Sequence, residues 1–360
     1  MITAVTIENF KGFKKLQLPE LSRITLLGGS NNVGKTSVLE SLLLFHIKAQ
    51  PEFLFNHLAM RGVSAASFEA DTVLAPAFRD YRLDHNIVIA CSEDGHLEKM
   101  VIAFNPAYAP KIIEVPIGEA EEVSSSTRTT QKPLPVYSVD ISYQSKDKLE
   151  QCHLVVRANN LEVLREENYS GTKQQPVIFT GAKSITNPNE LATRFGQLDV
   201  VGKQDIVIEF LRILEPRLRY LSSITMGAFS FVHGDIGIGR KIPVAFMGEG
   251  MDRLLSTVLT IATTRDGLIL IDEFENGLHY SVMAKVWESI SKAARDFNCQ
   301  IVTTTHSYEC LQAAYEGIAK AGLEDEFRYI RLDRTAEDIV AKTYTHALPG
   351  AALEQGWEVR

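Results

Sequence analysis

Three features of the sequence predict an α/β fold. The stretch Gly29-Ser30-Asn31-Asn32-Val33-Gly34-Lys35-Thr36 joins an apolar run at 24–27 to a helical run at 37–47. The segments 268–271 and 300–304 are short and, Gln300 aside, apolar or β-branched, as strands buried on both faces of a parallel sheet are. A helix-period segment, 281–297, connects them. In the first feature, two glycines let the backbone curl until its N–H groups point inward, and the following helix turns its positive end to the same place. Such a turn binds phosphate, with Lys35 reaching the outer phosphates, Thr36 offering a hydroxyl to Mg²⁺ and Ser37 opening the helix beside them.

The remaining elements follow in order. Short strands are expected at 4–7, 16–18 and 24–27, with Asn9-Phe10-Lys11-Gly12-Phe13 between the first two. The middle is β-rich, with strands expected at 86–91, 99–104, 112–115, 136–143 and 153–156. The polar, Ser/Thr-rich stretch 119–130 reads as a surface loop. From Pro188 the pattern becomes helical, at 190–195, at 203–214 before Pro216, and at 252–263. The chain therefore divides into 1–85 and 266–360, the two halves of a nucleotide-binding core, around a β-rich subdomain at 86–187 and a helical lobe at 188–265. No internal repeat and no sustained heptad pattern is present.

Composition excludes several classes. With 360 residues, 45% hydrophobic content and no apolar run of eighteen residues, the chain reads as a globular protein without a membrane span. Its start has no secretory pattern, and a cytoplasmic location is expected. Cys91, Cys152, Cys299 and Cys310 lack C-x-x-C spacing, which fits buried thiols and offers no zinc site. A net charge of −8 argues against a surface that binds nucleic acid everywhere. Local clusters at Arg212, Arg217 and Arg219, and at Arg240 and Lys241, leave a local track open beside the simpler reading of a solvated face.

A second constellation lies downstream. The run 268–271 ends in Asp272 and Glu273, placing one carboxylate to hold Mg²⁺ and another to orient or deprotonate an attacking water. The run 300–304 leads to His306, which a parallel neighbouring strand would deliver beside a terminal phosphate. Met247-Gly248-Glu249-Gly250-Met251 precedes the helix expected near Asp252. It reads equally as a tight turn or as a second anion site serving a nucleotide held by another molecule.

Taken together, these motifs resemble the ABC-type ATPase heads of the SMC, RecF and OLD group. The opening Ile7-Glu8-Asn9-Phe10-Lys11-Gly12-Phe13 is similar to that group's N-terminus. The stretch Ile271-Asp272-Glu273-Phe274-Glu275-Asn276-Gly277-Leu278-His279 looks like the form found in OLD-like AAA-family ATPases of bacteria and their viruses. The resemblance implies an ABC-type P-loop ATPase head with a β-rich subdomain and a helical signature lobe. It implies ATP and Mg²⁺ as cofactors, nucleotide binding through Gly29, Ser30, Asn31, Asn32, Val33, Gly34, Lys35, Thr36 and Ser37, and metal binding by Thr36 and Asp272. Glu273 would be the catalytic base, Lys35 a catalytic cation and His306 the switch histidine, with Gly248, Glu249 and Gly250 forming the signature that meets ATP across a dimer. Gly248 stands where LSGGQ has serine and Met251 where it has glutamine, so those contacts would come mostly from backbone. No glutamine is assigned to the Q-loop. Glu275, Asn276 and His279 are expected either at the dimer seam or as parts of a structural turn.

The same resemblance frames function. Coiled-coil arms are missing, and no D-x-D pair of a Toprim nuclease is present. The leading expectation is an ATP-hydrolysing switch, a homodimer or higher oligomer around ATP, that controls a separate nuclease or toxin effector in anti-phage defence, as in PARIS and Septu. The alternatives are a RecF-like repair ATPase that binds duplex DNA along Arg212, Arg217 and Arg219, and a scaffold that binds ATP without turning it over.

Overall fold

The computed structural model describes residues 1–48, 50, 54, 70–106, 136–146, 148–157, 160–166, 175–182 and 187–346. The strand expected at 112–115 and the loop expected at 119–130 lie outside them. The chain opens with a hairpin of β1 (Ile2–Phe10) and β2 (Phe13–Leu18), then β3 (Ile24–Gly29), which feeds α1 (Lys35–His46) through the glycine-rich loop. A short helix, α2 (Ala70–Val73), precedes β4 (Ile87–Glu93), β5 (His96–Asn105), β6 (Val136–Ser145), β7 (Lys148–Arg157) and β8 (Asn160–Arg165). All pairings in this part are antiparallel, in the order β2-β1-β4-β5-β6-β7-β8. The pairing of β1 with β4 carries one sheet across residue 86.

Next come β9 (Val177–Thr180), α3 (Pro188–Val200) and α4 (Gln204–Leu211), then the small sheet of β10 (Tyr220–Met226), β11 (Phe229–Asp235) and β12 (Ile242–Pro243). The stretch 188–265 is thus not helical throughout, because a hairpin with mixed burial interrupts it. The second helix also stops at Leu211, earlier than Pro216 suggests. The chain continues with α5 (Glu249–Thr263), β13 (Leu268–Ile271), α6 (Tyr280–Asp296), β14 (Gln300–Thr304), α7 (Tyr308–Ala321), β15 (Phe327–Arg334) and β16 (Ile339–Thr345).

The second large sheet runs β16-β15-β3-β14-β13-β9, parallel except for the edge strand β16. Its central strands are buried on both faces, which is why they read as unbroken apolar runs. Alternate residues serve two cores. Ile24, Leu26, Ile269, Ile271 and Ile301 pack with α5, α6 and α7. Leu27, Leu268, Leu270 and Val302 pack with α1 and the antiparallel sheet. One slipped register would exchange the two cores, so the alternation holds the C-terminal ends of β3, β13 and β14 side by side.

The last turn of α1 carries a pH-sensitive group. His46 is buried, its Nδ1 lies 2.7 Å from the Leu42 carbonyl and its Nε2 has no partner. Burial pushes its pKa from 6.5 down to about 4. Between those values the unfolded chain holds a proton that the folded one refuses, so stability falls as pH drops through this window, by roughly 3 kcal/mol in all. Urea unfolding at pH 7.5 and pH 5 is expected to show a smaller acid loss in His46→Leu than in the parent. An equal loss would assign the acid sensitivity elsewhere.

Candidate nucleotide site

The loop after β3 closes by the conformations its glycines permit. Gly29 adopts φ +127° with its Cα against the Leu332 backbone carbonyl, and Gly34 caps α1 at φ +101° with its Cα facing the Phe13 ring. A side chain at either position would meet those groups, so Phe13 of the Asn9 to Phe13 motif serves as the floor of the loop. The Lys35 ammonium donates to the carbonyls of Gly29 at 2.7 Å and Ser30 at 3.0 Å. Burial lowers its pKa, and the carboxylates of Glu275, Asp272 and Glu273 work against that shift.

The two predicted carboxylates stand beside this loop. Thr36 Oγ1 donates to both Asp272 oxygens, at 3.1 and 3.0 Å, and Thr304 Oγ1 donates to Asp272 Oδ1 at 2.6 Å. A hydroxyl and a carboxylate meeting at one point suit Mg²⁺, which takes few protein ligands and fills its octahedron with water and phosphate oxygens. Glu273 lies at φ +50°, a conformation that non-glycine residues adopt only when their surroundings impose it. Three groups do so: Thr304 Oγ1 accepts its N–H at 2.8 Å, Asn276 Nδ2 donates to its Oε2 at 2.7 Å, and Arg253 Nη2 donates to its carbonyl at 2.7 Å. The same Arg253 nitrogen donates to the Asp272 carbonyl at 2.7 Å. Burial lowers the Arg253 pKa, and Glu275, Glu273 and Asp272 oppose the shift.

His306 follows β14 and lines the same cleft, of about 750 Å³, as Asn31, Asn32, Gly34, Lys35, Thr36, Ser37, Asp272 and Glu273. Lys35, Thr36, Asp272, Glu273 and His306, scattered along 270 positions of sequence, thus converge on one cavity. Sequence reasoning missed Glu40, Phe179, Ala182 and Thr304, which also line it, and Arg253, which braces it. A charged residue within the largely apolar 251–262 stretch was the available signal for Arg253.

The Gly248-Glu249-Gly250 segment differs from its expected form. The helix begins at Glu249 instead of near Asp252, so Gly250 sits in its first turn and Gly248, at φ +123°, is the N-cap. Gly248 has open space around it, whereas Gly250 lies directly against the carbonyl of Gly277. Gly250→Ala is therefore expected to destabilise the protein by about 1–3 kcal/mol without any nucleotide. Thermal unfolding in the absence of ATP checks this, and an unchanged midpoint would leave only a ligand contact to explain the glycine. Of the other expected seam residues, Asn276 holds Glu273, and His279 caps α6.

The residues of both basic clusters are exposed, and most of them hold local contacts. Arg212 donates to the carbonyls of Leu218 at 2.7 Å and Arg219 at 3.2 Å, Arg217 pairs with Glu215 at 2.8 Å, and the Arg219 guanidinium lies against Gly237. Lys241 donates to Ser222 at 2.9 Å.

Residues 128–311, half of the chain, match the family described as "AAA domain, putative AbiEii toxin, Type IV TA system". The chain belongs to this AAA family. Residues 1–175 also match the AAA ATPase domain family. This AAA protein is 20% identical to an "ATP/GTP phosphatase" of Helicobacter pylori, over 96% of its own length and 95% of the relative's. An uncharacterised Methanocaldococcus jannaschii protein, MJECL11, is 32% identical over 24% of this chain and 76% of its own. Among solved structures, the Pyrococcus furiosus Smc head domain with an extended coiled coil, bound to the C-terminal domain of ScpA, superposes with a TM-score of 0.50. The identity is 11%, with 98% of each chain covered. The AAA protein accordingly has the ABC-type ATPase head fold: two large sheets, a glycine-rich loop from β3 to α1, and a lobe that carries the Gly248 turn. None of its described helices is long and apolar enough to cross a membrane.

Proposed function

We propose that this protein binds ATP, hydrolyses it to ADP and phosphate, and uses the ATP-bound dimer as a switch that controls a separate effector. The observation that carries the reading is the meeting of Thr36, Asp272 and Glu273 beside the Lys35 loop. Lys35 and the N–H groups of the loop bind the phosphates, and Thr36 with Asp272 holds Mg²⁺. The metal, when bound, neutralises charge on the phosphate oxygens. Glu273, held at its strained backbone by Thr304, Asn276 and Arg253, accepts a proton from water or orients it for attack on the terminal phosphorus. His306 faces the phosphate from the neighbouring strand. The relative named as a phosphatase of ATP and GTP supports hydrolysis.

Dimerisation rests on the N-terminus of α5, where Gly248 leaves its side open. A glycine N-cap offers free N–H groups to an anion, and the phosphates within each protomer already have their own loop. The family's description, which names a putative toxin of a toxin–antitoxin system, supports a place in such a system, and the separate effector is this proposal's own step. Arg212, Arg217 and Arg219 are exposed, and the nucleic-acid staining below tests a DNA track there. The test is affinity capture of tagged Glu273→Gln protein from its native host with ATP and Mg²⁺, with nucleic-acid staining of the eluate. A stoichiometric neighbouring protein without DNA is expected. DNA alone would overturn the effector reading.

A further inference from the structure

The buried carboxylate of Glu275 is not accounted for by nucleotide chemistry. It lies on the turn after β13, 8% exposed, and the turn is anchored by Phe274 stacked on the buried Trp287 at 4.1 Å between ring centres. Its Oε1 accepts the backbone N–H of His306 at 2.9 Å and lies 3.1 Å from Nδ1 of the same residue. One oxygen therefore accepts from the main chain and lies against the ring of a residue that is itself 45% exposed. Glu275 is also the foremost of the acids that oppose the burial of Lys35 and of Arg253.

We propose that Glu275 is the positioning residue of His306: it holds the proton on Nδ1, fixes the plane of the ring, and leaves Nε2 as the nitrogen presented to the terminal phosphate. A carboxylate behind a histidine does this wherever the imidazole must meet a ligand in one tautomer. Without it, the half-exposed ring samples several rotamers, and neutral imidazole in water favours the proton on Nε2. The inference rests on the ATPase reading above, so its test has one arm that measures turnover and one that does not.

In the first arm, Glu275→Ala is expected to lower kcat about 10–100-fold with KM for ATP changed less than about threefold. Glu275→Gln, whose amide oxygen still accepts from both N–H groups, recovers most of that loss. In a His306→Ala background the further change to Glu275→Ala costs less than about twofold, since residues acting as one unit do not add. Equal losses in both backgrounds, or no rescue by glutamine, would overturn the proposal.

The second arm reads the ring itself. In ¹⁵N-histidine spectra, His306, assigned among the nine histidines by its loss in His306→Ala, shows the Nδ1-protonated tautomer in the parent. The Glu275→Ala protein shifts toward the Nε2-protonated form. An unchanged tautomer removes the positioning role whatever the turnover. If the parent releases no phosphate, the ATPase reading fails while the spectra still decide the role of Glu275.

Discussion

Glu273→Gln is expected to bind ATP as the parent does and to lose about 10²–10⁴-fold in turnover, the range that general acid–base catalysis contributes. The substitution is close to isosteric, and the glutamine oxygen can still accept from Asn276, so the strained turn at φ +50° and its ties to Thr304 and Arg253 are kept. What is removed is the charge that takes a proton from water. Because hydrolysis is the step that opens the dimer in this account, the variant is also expected to double its mass in ATP and Mg²⁺ and hold that mass, as read by light scattering. Parent-like phosphate release from Glu273→Gln would sink the assignment of the base.

Lys35→Ala is expected to lose nucleotide binding. A charge-assisted hydrogen bond is worth about 1.5–3 kcal/mol, and in the proposed role the ammonium serves two phosphates, so affinity should fall about 100-fold or more. Electrostatics add to this, since Asp272, Glu273 and Glu275, which now act on the Lys35 ammonium, would lose that counter-charge beside an incoming polyanion. The fold should suffer less. Lys35 donates to the carbonyls of Gly29 and Ser30, and Ser30 is exposed, so water can replace part of what is lost. Titration with a fluorescent ATP analogue separates the two effects. Parent-like affinity with a lowered melting temperature would recast Lys35 as a loop brace.

The parts of the site legible in the sequence are those whose physics is local. Gly29 and Gly34 are needed by backbone angles within a single turn, and β13 and β14 announce themselves because burial on both faces leaves no polar alternation. The parts that were hidden depend on distant segments meeting. The antiparallel sheet forms because β1 pairs with β4 some 85 residues away, and no local pattern encodes that partner. The hairpin β10–β11 is masked by its composition, with Ser222, Ser223, Thr225 and Ser230 turned among a few buried residues. Arg253 reads as one more charge on an amphipathic helix until its carbonyl partners, about 20 residues on, are in place. The expected start of α5 near Asp252 failed for a local reason: a glycine in the first helical turn looks like part of the preceding loop. Gly250 is there because Gly277 approaches it, not because the helix has yet to begin.

The most direct measurement is phosphate release by the purified protein in ATP, with and without Mg²⁺, beside the Glu273→Gln protein under the same conditions. The account predicts release that depends on Mg²⁺ and is absent from Glu273→Gln. Tight ATP binding with no release from either protein would contradict hydrolysis and leave a nucleotide-held scaffold.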